Sequence, residues 1–440
     1  MLEEDVNKCL DLTRLDPAYK VFFEEDDPII ITSNLELDAK TFESIESGSG
    51  KQLKKYVKKS NSIYQLSIKH FLYSNFQTIT DFMKPEVLKN GISMLKMAVM
   101  PIHRYISGFV SDLRLKQILE YPMVFLGTSP FDAPALYSLM SALDFKEGVF
   151  YPNGGIYKII ESLEKIGTKL GVEYRYGSGV KEILIENGEV KGVKLQNNSI
   201  INADIVVSNA DLNYTETELI KEKRNRSYPD KYWANKQASP SALLIYLGLK
   251  GSISQFEHHN LLFVKKWKQN FDDIYKNKKS PESASIYICN PSKTDSSVAP
   301  KGHENIFVLV PLPAGIELNR KNTDELTNHY IKQIEAMTNV DLNTNQVFKK
   351  IYGPDEFKTK LYSWQSSMLG QSHILKQSAF FRTPNKSKKV DGLYYVGAST
   401  TPGVGLPMCL IGAELIYKRL TGDRRGGKVN KIDRIKMELN

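Results

Sequence analysis

The feature that most constrains the fold is a short apolar strand, a glycine-rich turn and an apolar helix near the carboxyl end of the chain. The segment YYVGASTTPGVGLPMCLIGAELIYKRL predicts a strand ending at Gly397, a turn with two further glycines, and a helix over Met408–Leu420 that starts near Pro407. Free backbone N–H groups and the positive end of the helix dipole meet at such a helix start, which suits a phosphate or an electron-rich ring oxygen. A loop of this kind is also a common simple connection, so the pattern alone leaves both interpretations open.

The first 150 residues predict a β-hairpin followed by helices. Tyr19–Phe23 and Ile29–Ser33 are short apolar runs on either side of the turn-like EEDDP. A short helix is expected over Asp38–Ile45, capped by its first residue, and the apolar residues of Lys51–Tyr73 follow helical spacing. This region is therefore mainly helical after its hairpin.

The centre of the chain predicts a helix, a β-meander and a mixed α+β region. Apolar residues from Ile156 to Leu170 recur at helical spacing and end at a glycine, and a second helix is expected over Thr323–Met337. The turns Asn187-Gly188 and Asn197-Asn198 separate the strands of the meander. The predicted strands are Val172–Tyr176, Val180–Glu186, Val190–Gln196, Asp204–Ser208, Ala242–Leu249, Ser285–Cys289, Ile306–Pro311, Gln346–Tyr352 and Gly392–Val396.

Composition indicates a folded protein of several domains. The 440 residues are 41% hydrophobic and 25% charged, which excludes a disordered, collagen-like or coiled-coil chain. A net charge of +9 favours an anionic partner such as a membrane surface, a phosphate-bearing cofactor or nucleic acid. Three widely spaced cysteines offer no paired spacing for a disulfide framework or a metal site, so a reducing compartment is expected.

The expected localisation rests on the lack of recognisable targeting signals and on one amphipathic segment. The sequence has no apolar run of transmembrane length and an acidic amino-terminal segment without a signal-peptide pattern, so a cytoplasmic protein is expected. Residues 85–110 are rich in Met, Val and Ile with scattered cations. They fit an amphipathic segment in a membrane interface and an internal helical hairpin broken at Pro101 equally well. The first interpretation predicts a peripheral protein of the cytoplasmic membrane.

An ordered set of motifs resembles the bacterial-type phytoene desaturase family of the flavin amine oxidase and desaturase superfamily. The motifs are FYPNGGIYKIIESLEKIG, VKEI, ADIVVSNADLNYTE, CNPSKTDSSVAPKGHENIFVLVPLP and YYVGASTTPGVGLP, and they extend from about Leu15 to Leu420. The resemblance implies an α/β fold: a discontinuous doubly wound FAD-binding domain, interleaved with an α+β substrate domain and a helical membrane-facing region. The expected segments are 1–145 (substrate and membrane-facing), 146–215 (FAD domain with the meander), 216–385 (substrate domain), 386–422 (FAD domain) and 423–440 (charged tail).

The same resemblance implies the residues that bind FAD. Val180 falls at the strand whose backbone meets the adenine, and the pair of glycines before the 156–170 helix opens the return to the FAD domain. Residues 397 and 398 fall near the pyrophosphate or ribityl chain, and residues 405–408 form the turn that faces the pyrimidine edge of the flavin. The implied cofactor-binding residues are Gly154, Gly155, Val180, Ser208, Asn209, Gly397, Ala398, Gly405, Leu406, Pro407 and Met408.

One departure from the family is informative. The family begins with a strand and a GxGxxG turn at the FAD pyrophosphate, and this sequence has no such fingerprint. GSGK at 48–51 and GSGVKE at 177–182 both depart from phosphate-binding patterns. The comparison predicts an incomplete FAD domain, completed by an upstream segment or by a separately encoded fragment.

Few residues are candidates for catalysis or metal binding. The resemblance implies that Asp112 is an acid or base, although an Asp at this point is more simply the cap of a helix over Leu113–Leu119. His258 and His259 are adjacent without a third ligand at useful spacing, so no metal site is expected. His103, near a proline, fits a structural role better than a membrane contact.

The leading hypothesis is flavin-dependent desaturation of a carotenoid precursor such as phytoene or diapophytoene. An extended polyene has no leaving group, so the reaction needs chiefly a flavin and a long apolar tunnel. The alternatives are a catalytically silent polyene or lipid binder, a subunit that works with a separate FAD-domain fragment, and a flavin-dependent isomerase or related oxidoreductase. Nucleic-acid binding is not expected because the basic residues are scattered and no recognition motif accompanies them.

Overall fold

A seven-stranded mixed sheet organises the largest part of the fold. The computed structural model describes residues 4–75, 91 and 94–429. The strands are β1 (Leu12–Arg14), β2 (Tyr19–Phe23), β3 (Ile29–Ile31), β4 (Phe150–Pro152), β5 (Val180–Glu186), β6 (Glu189–Leu195), β7 (Ile200–Asn202), β8 (Val206–Ser208), β9 (Ser241–Lys250), β10 (His259–Phe263), β11 (Ile286–Cys289), β12 (His303–Leu312), β13 (Gln346–Tyr352) and β14 (Leu393–Tyr395). The order in the sheet is β13-β9-β12-β11-β10-β2-β3, with β10 and β2 parallel and every other neighbouring pair antiparallel.

Helices cover both faces of this sheet. The helices are α1 (Val6–Cys9), α2 (Leu35–Ile45), α3 (Ser49–Ser67), α4 (Ile102–Ile106), α5 (Leu113–Glu120), α6 (Leu139–Ala142), α7 (Tyr157–Lys169), α8 (Leu212–Tyr214), α9 (Asp230–Ala234), α10 (Trp267–Asp272), α11 (Arg320–Thr338), α12 (Pro354–Lys360) and α13 (Leu406–Leu420). Alternation along β2 divides the core: Val21 and Phe23 pack with α2–α5, whereas Phe22 packs with α11. Every side chain of β2 but one is therefore buried on one face or the other.

Most predicted elements are confirmed, including the hairpin β2–β3, the long strands β9, β12 and β13, and the helices α7, α11 and α13. The predicted helix cap is wrong. Helix α2 begins one turn earlier, where the Asn34 side chain accepts from the N–H groups of Glu36 and Leu37. Asp38 lies inside the helix and its Oδ1 accepts from the N–H of Thr32 at 2.8 Å. The carboxylate thus ties the helix back to the strand before it.

The sheet crosses the expected domain boundaries. Strands β2 and β3 come from segment 1–145, and β9–β13 come from segment 216–385. Phe22 of β2 lies opposite Leu262 of β10, about midway along the parallel pair. The two expected substrate segments therefore share one sheet and the cores on both of its faces.

A second, smaller part contains the meander and the carboxyl-terminal strand. Strands β5-β6-β7 form an antiparallel meander with Asn187 and Gly188 both at positive φ in its first turn. Strands β8 and β14 form a two-stranded parallel sheet. A separate core joins these strands to α8 and α9 through residues such as Ile183, Leu393 and Tyr395.

The predicted strand over Val172–Tyr176 is wrong. These residues are in no strand and fold back against α7, with the hydroxyl of Tyr176 donating to Glu164 at 2.7 Å. The rings of Tyr174 and Tyr176 stack with centroids 6.2 Å apart. Alternating aromatic residues therefore contact a helix here, although the same sequence pattern is also typical of a strand.

The amphipathic segment predicted over 85–110 lies partly outside the described residues, as does the end of the charged tail. The described portion is helical over 94–99 and again in α4, on either side of Pro101. Leu95 is 68% exposed and Val99 is 62% exposed. No described helix combines the length and the apolar character needed to cross a bilayer.

Candidate functional site

The carboxyl ends of the parallel strands β8 and β14 meet at the residues expected to bind FAD. The N–H of Val396 donates to the carbonyl of Ser208 at 3.0 Å, and the Asn209 side chain donates to the carbonyl of Val396 at 3.1 Å. Gly397 follows with φ +126°, and a Cβ there would lie 3.1 Å from the Asn209 amide nitrogen. The structure thus brings Ser208, Asn209, Gly397 and Ala398 together at the end of the sheet where open α/β folds bind ligands.

A buried arginine holds the loop that follows β14. Arg382 is 2% exposed, and its guanidinium donates to the carbonyls of Gln371, Gln377, Ala398 and Thr400. Burial lowers the pKa of Arg382 to about 10, which leaves the group charged at neutral pH. A positive charge fixed under this loop favours a cofactor that becomes more negative when it is reduced.

A buried histidine supports the next part of the same loop. The N–H of Val404 donates to Nε2 of His373 over a long 3.5 Å, and Nδ1 of this ring lies 2.9 Å from the Tyr137 hydroxyl. Because a backbone N–H can only donate, Nε2 accepts and Nδ1 carries the proton. Burial lowers the pKa of His373 well below its usual value. Gly403 is required at this point, since a Cβ would lie 2.2 Å from Cε1 of His373 at φ +142°.

Helix α13 begins where the loop ends. Gly405 is its cap at φ +115°, Pro407 is in the first turn, and no side chain caps the free N–H groups. Residues 405–407 are exposed and Met408 is half-buried. The N–H groups of this first turn are therefore available to a ligand, as the sequence predicts.

An apolar cavity adjoins this helix start. This proximal cavity has a volume of about 360 Å³ and extends from Val404 and Gly405 to the face of β10 and β11. A distal cavity of about 460 Å³ continues past Asp144 and Phe150. The two cavities share five lining residues, namely Tyr121, Phe125, Leu261, Tyr287 and Leu309. The two cavities adjoin at these five residues, and we refer to the pair as the apolar passage. Its lining is mainly aromatic and aliphatic, and its proximal end lies at the predicted flavin-facing turn.

A larger cleft elsewhere has a different character. It measures about 910 Å³ and lies between Asn213–Glu218 and Pro354–Ser366, with many polar side chains in its lining. It is suited to a polar ligand, and Gly405 is not among the residues that line it. The apolar passage is therefore the better candidate for a hydrophobic substrate.

The turn before α7 is held by the loop TDSSVAPKG. The N–H of Gly154 donates to Oδ2 of Asp295 at 2.6 Å, and the hydroxyl of Tyr151 donates to the same oxygen at 3.2 Å. Hydrogen bonds, with that of the Ser297 hydroxyl the largest, lower the pKa of Asp295 to about 2. Gly154 and Gly155 have φ of +88° and +99°. These glycines thus open α7 as predicted, in contact with a loop of the substrate region.

The other predicted site residues are placed apart from this passage. Val180 begins β5 opposite Leu195 of β6, in the meander and not in the parallel sheet. Asp112 caps helix α5 by accepting from the N–H of Arg114 at 2.9 Å, and its other oxygen accepts from that guanidinium. Hydrogen bonds from Arg114 lower the pKa of Asp112 despite the opposing effect of partial burial. Asp112 lines neither cavity, so its catalytic role stays a prediction and its capping role is confirmed.

The histidines give one confirmation and one correction. His103 has the expected structural role, with Nδ1 2.8 Å from the fully buried carboxyl of Glu120, which also accepts from the indole N–H of Trp267. The expectation that His258 and His259 lack a third ligand is wrong. Cys289 lies across the β10–β11 pair, and one ligand atom of each of the three residues lies within 4.8 Å of the others.

Comparisons with known proteins agree with this geometry. Residues 50–414 match the family described as flavin containing amine oxidoreductase. A carotenoid 3,4-desaturase of Haloarcula japonica is 36% identical over 94% of this chain and 83% of its own length. A zeta-carotene-forming phytoene desaturase of Myxococcus xanthus is 30% identical over 94% of this chain and 80% of its own length. A solved structure of a putrescine oxidase double mutant has a TM-score of 0.55 at 10% identity, over 95% of this chain and 84% of that one, and shows the fold alone.

The chain belongs to the flavin containing amine oxidoreductases and, among them, to the family of the carotenoid and phytoene desaturases. It is an FAD-dependent oxidoreductase of the α/β fold that the flavin amine oxidases share. The residues present fit the flavin end of the cofactor: a glycine-bearing loop, an uncapped helix start and a buried positive charge. The sequence motif for the pyrophosphate end, GxGxxG, is not in the sequence.

Two residues of the site were missed by sequence reasoning. Arg382 and His373 support the loop from below, and neither belongs to a quoted motif. The available signal for Arg382 was its position directly after the apolar residues AFF. An arginine in an apolar stretch can be buried only where the fold supplies hydrogen-bond partners, so it marks a candidate for a buried, paired charge.

Proposed function

We propose that this protein desaturates a carotenoid precursor of the phytoene or diapophytoene type at the surface of a membrane. The observation that carries the proposal is the apolar passage ending at Val404 and Gly405, beside the helix start predicted to face the flavin. A polyene offers only C–H bonds to the enzyme, and the passage lining offers mainly apolar contacts. When bound, FAD would take up the two electrons and two protons that a desaturation removes, as a hydride from one carbon and a proton from its neighbour.

The chain's own residues supply positioning, exclusion of water and charge. Aromatic and aliphatic walls align an extended chain with the flavin-facing end and keep water out. The first-turn N–H groups of α13 stabilise negative charge at the pyrimidine edge. Arg382 holds the Ala398 and Thr400 carbonyls and adds a buried positive charge beneath the loop.

Exposed apolar residues support entry of the substrate from lipid. Phe125, which lines both cavities, is 48% exposed, and Phe150 of the distal cavity is 49% exposed. Leu95 and Val99 are exposed on the helical stretch 94–99, with the cation Lys96 beside them. Such a surface suits docking on anionic headgroups, with apolar side chains in the interface.

We call α7, β8, β14 and α13 together the flavin-facing region. A separate FAD-domain fragment, or a further segment of the same domain, is its proposed partner. Helix α7 has no buried residue, and Ile156, Tyr157 and Ile160 are 55%, 67% and 45% exposed. Val207 of β8 is 45% exposed. A doubly wound FAD domain buries both faces of its parallel sheet, so these side chains fit the contact with its remaining strands and fingerprint turn.

Product analysis tests the reaction. The protein is supplied with FAD and with phytoene in liposomes, and the products are weighed by mass spectrometry. We expect a loss of two hydrogens per step. An isomerase would conserve the substrate mass, and a silent binder would retain polyene without a flavin spectrum, so either result contradicts the proposal.

A cavity variant links the reaction to the passage. Leu309→Trp fills the segment that both cavities share, and Leu309→Met conserves volume and serves as the matched control. We expect Leu309→Trp to lower the desaturation rate about 100-fold by displacing the polyene, while flavin retention stays unchanged. Equal rates for the two variants would place the substrate elsewhere.

Liposome flotation tests the docking surface. We expect Leu95→Glu combined with Val99→Glu to abolish binding to anionic vesicles, because both side chains are exposed and apolar. Charge reversal of Lys96 should weaken binding more as the salt concentration falls. Lys84 and Lys89, the other cations of this prediction, lie outside the described residues. Unchanged flotation of the double variant would remove this surface from the proposal.

A further inference from the structure

Two histidines and a cysteine meet beside the distal cavity. His259 lies opposite Cys289 in the antiparallel pair β10–β11, which places their side chains on the same face of the sheet. His258 precedes β10, and its ring centroid is 4.5 Å from that of His259. One ligand atom from each of the three residues lies within 4.8 Å of the other two. The cluster therefore combines residues about 30 positions apart in sequence.

Each imidazole is oriented by a hydroxyl at its other nitrogen. Nδ1 of His258 lies 2.8 Å from Oγ1 of Thr294, and Nδ1 of His259 lies 2.8 Å from the hydroxyl of Tyr287. Metal-bound histidines commonly have such a partner, which fixes the ring and directs the remaining nitrogen to the ion. The arrangement leaves the two Nε2 atoms as the candidate ligands.

One of these atoms is an unexplained buried polar group. His258 is 3% exposed, and its Nε2 has no hydrogen-bond partner among the described residues. A buried, unpartnered imidazole nitrogen is costly unless it binds something.

We propose that His258, His259 and Cys289 bind a Zn²⁺ ion. Two imidazole nitrogens and one thiolate are a donor set that zinc prefers, and three protein ligands leave a fourth position for water. Bond lengths of about 2.0 Å to nitrogen and about 2.3 Å to sulfur place tetrahedral ligand atoms roughly 3.3–3.7 Å apart. The three ligand atoms lie within 4.8 Å of one another. Side-chain rotations that move each atom by about 1 Å bring them to that spacing.

The ion would fix the wall of the passage. His259 and its partner Tyr287 line the distal cavity, and Tyr287 also lines the proximal cavity. Zinc at this position joins β10, β11 and the loop at Thr294, which continues into the Asp295 contact with Gly154. We therefore assign the site a structural role in holding the substrate passage against the loop that opens α7.

Cobalt substitution tests the site in the full chain. Metal-stripped protein is titrated with Co²⁺, and near-ultraviolet and visible spectra are recorded. We expect one ion per chain, tetrahedral d–d bands, and a sulfur-to-cobalt charge-transfer band that Zn²⁺ removes. Cys289→Ser should abolish the charge-transfer band, whereas Cys409→Ser, at an exposed cysteine, should keep it.

A second variant keeps the test decisive if Cys289→Ser fails to fold. His259→Gln should weaken Co²⁺ binding at least about tenfold while the charge-transfer band remains at saturation. His303→Gln, a histidine outside the cluster, is the matched control. A charge-transfer band absent from the parent protein, or one that persists in folded Cys289→Ser, would overturn the proposal. Desaturase activity is not the readout, so the outcome is independent of the proposed function.

Discussion

The seven-stranded sheet and the flavin-facing region differ in how fully they bury their apolar side chains. Ile245 of β9 and Val308 of β12 are completely buried, and both faces of the sheet carry continuous cores. In the flavin-facing region, Ile160 of α7 is 45% exposed, and Leu406 and Leu410 of α13 are each 52% exposed. The central strands β9 and β12 have their full set of contacts, whereas α7 and α13 leave apolar side chains exposed, which the proposed cofactor and further protein would cover.

The difference separates two kinds of stability. Side chains of the sheet act mainly through burial, because each is in contact with core on its own side. The loop after β14 is held by hydrogen bonds that Arg382 donates to backbone carbonyls and by one that His373 accepts from the N–H of Val404. Substitutions that disturb the loop are therefore expected to lower flavin retention together with stability, whereas substitutions in the sheet are expected to lower stability and leave flavin retention unchanged.

The largest effect is expected from Arg382→Met. The substitution leaves four buried carbonyls without their shared donor, at a cost of about 4 kcal/mol in the free energy of unfolding. Flavin retention should be lost as well, because two of those carbonyls belong to the loop after β14. Urea unfolding and the visible spectrum measure both effects. Arg320→Met, at an exposed arginine, is the control, and an equal loss there would contradict the account.

A somewhat smaller effect is expected from Gly403→Ala. The added Cβ meets the His373 ring, and the backbone is held at φ +142°, so we expect a loss of about 3 kcal/mol together with loss of flavin. Gly422→Ala is matched, since Gly422 also has a positive φ but has nothing within 4 Å of the new Cβ. It should cost about 1 kcal/mol. Similar losses in the free energy of unfolding at both positions would mean that backbone strain alone, and not the contact with His373, destabilises Gly403→Ala.

A third prediction concerns the pH dependence of stability. Burial raises the pKa of Asp144 from its ordinary 3.8 to about 6, although the hydroxyls of Tyr19 and Tyr121 donate to it. Well below pH 3.8 the carboxyl is protonated in both the folded and unfolded states and carries no penalty. Between about pH 4 and pH 6 the unfolded chain ionises while the folded protein keeps the proton, so stability falls by about 2–3 kcal/mol and levels off once the folded carboxyl has ionised.

Asp144→Asn removes this titration. The free energy of unfolding of the variant, measured between pH 4 and 7, should lack that share of the decline. Asp324→Asn, at an exposed aspartate in α11, should keep the profile of the parent. If the stability of Asp144→Asn declined with pH as steeply as that of the parent, the decline would belong to another group. Asp38 is one such group, because burial also raises its pKa to about 6.

The smallest effect on the chain itself is expected from Ile160→Lys. Because this side chain is already exposed, the free energy of unfolding should change by less than about 0.5 kcal/mol. Binding of an FAD-domain fragment that carries the glycine fingerprint should be abolished, as measured by calorimetry. Thr168→Lys, at an exposed polar residue of the same helix, makes the same change in charge and is the control. Undiminished binding by Ile160→Lys would mean that α7 is not the contact surface.

The sequence predicted local patterns well and long-range pairing poorly. Strands β9 and β12 were predictable because they are long and apolar. The parallel pairing of Phe22 with Leu262 joins residues 240 positions apart, and no local pattern records it. The strand predicted over Val172–Tyr176 failed because aromatic alternation fits the surface of a helix as well as a sheet.

The same distinction between local patterns and long-range contacts applies to the residues of the candidate site. The resemblance identified Gly397 and Gly405, whose backbone conformations require glycine. It did not identify Arg382 or His373, because their roles depend on which carbonyls and N–H groups the fold brings to them. The meeting of His259 with Cys289 was likewise invisible, since it follows from the register of two strands.

The central claim is that the loop at Gly405 and the apolar passage form one site for hydride removal from a polyene. The most direct measurement is anaerobic: the FAD-loaded protein is mixed with phytoene in liposomes while the visible flavin absorbance is followed. We predict stoichiometric bleaching of the flavin, slowed in Leu309→Trp and normal in Leu309→Met, with a product two hydrogens lighter. A flavin that stays oxidised while the polyene is bound would contradict the claim.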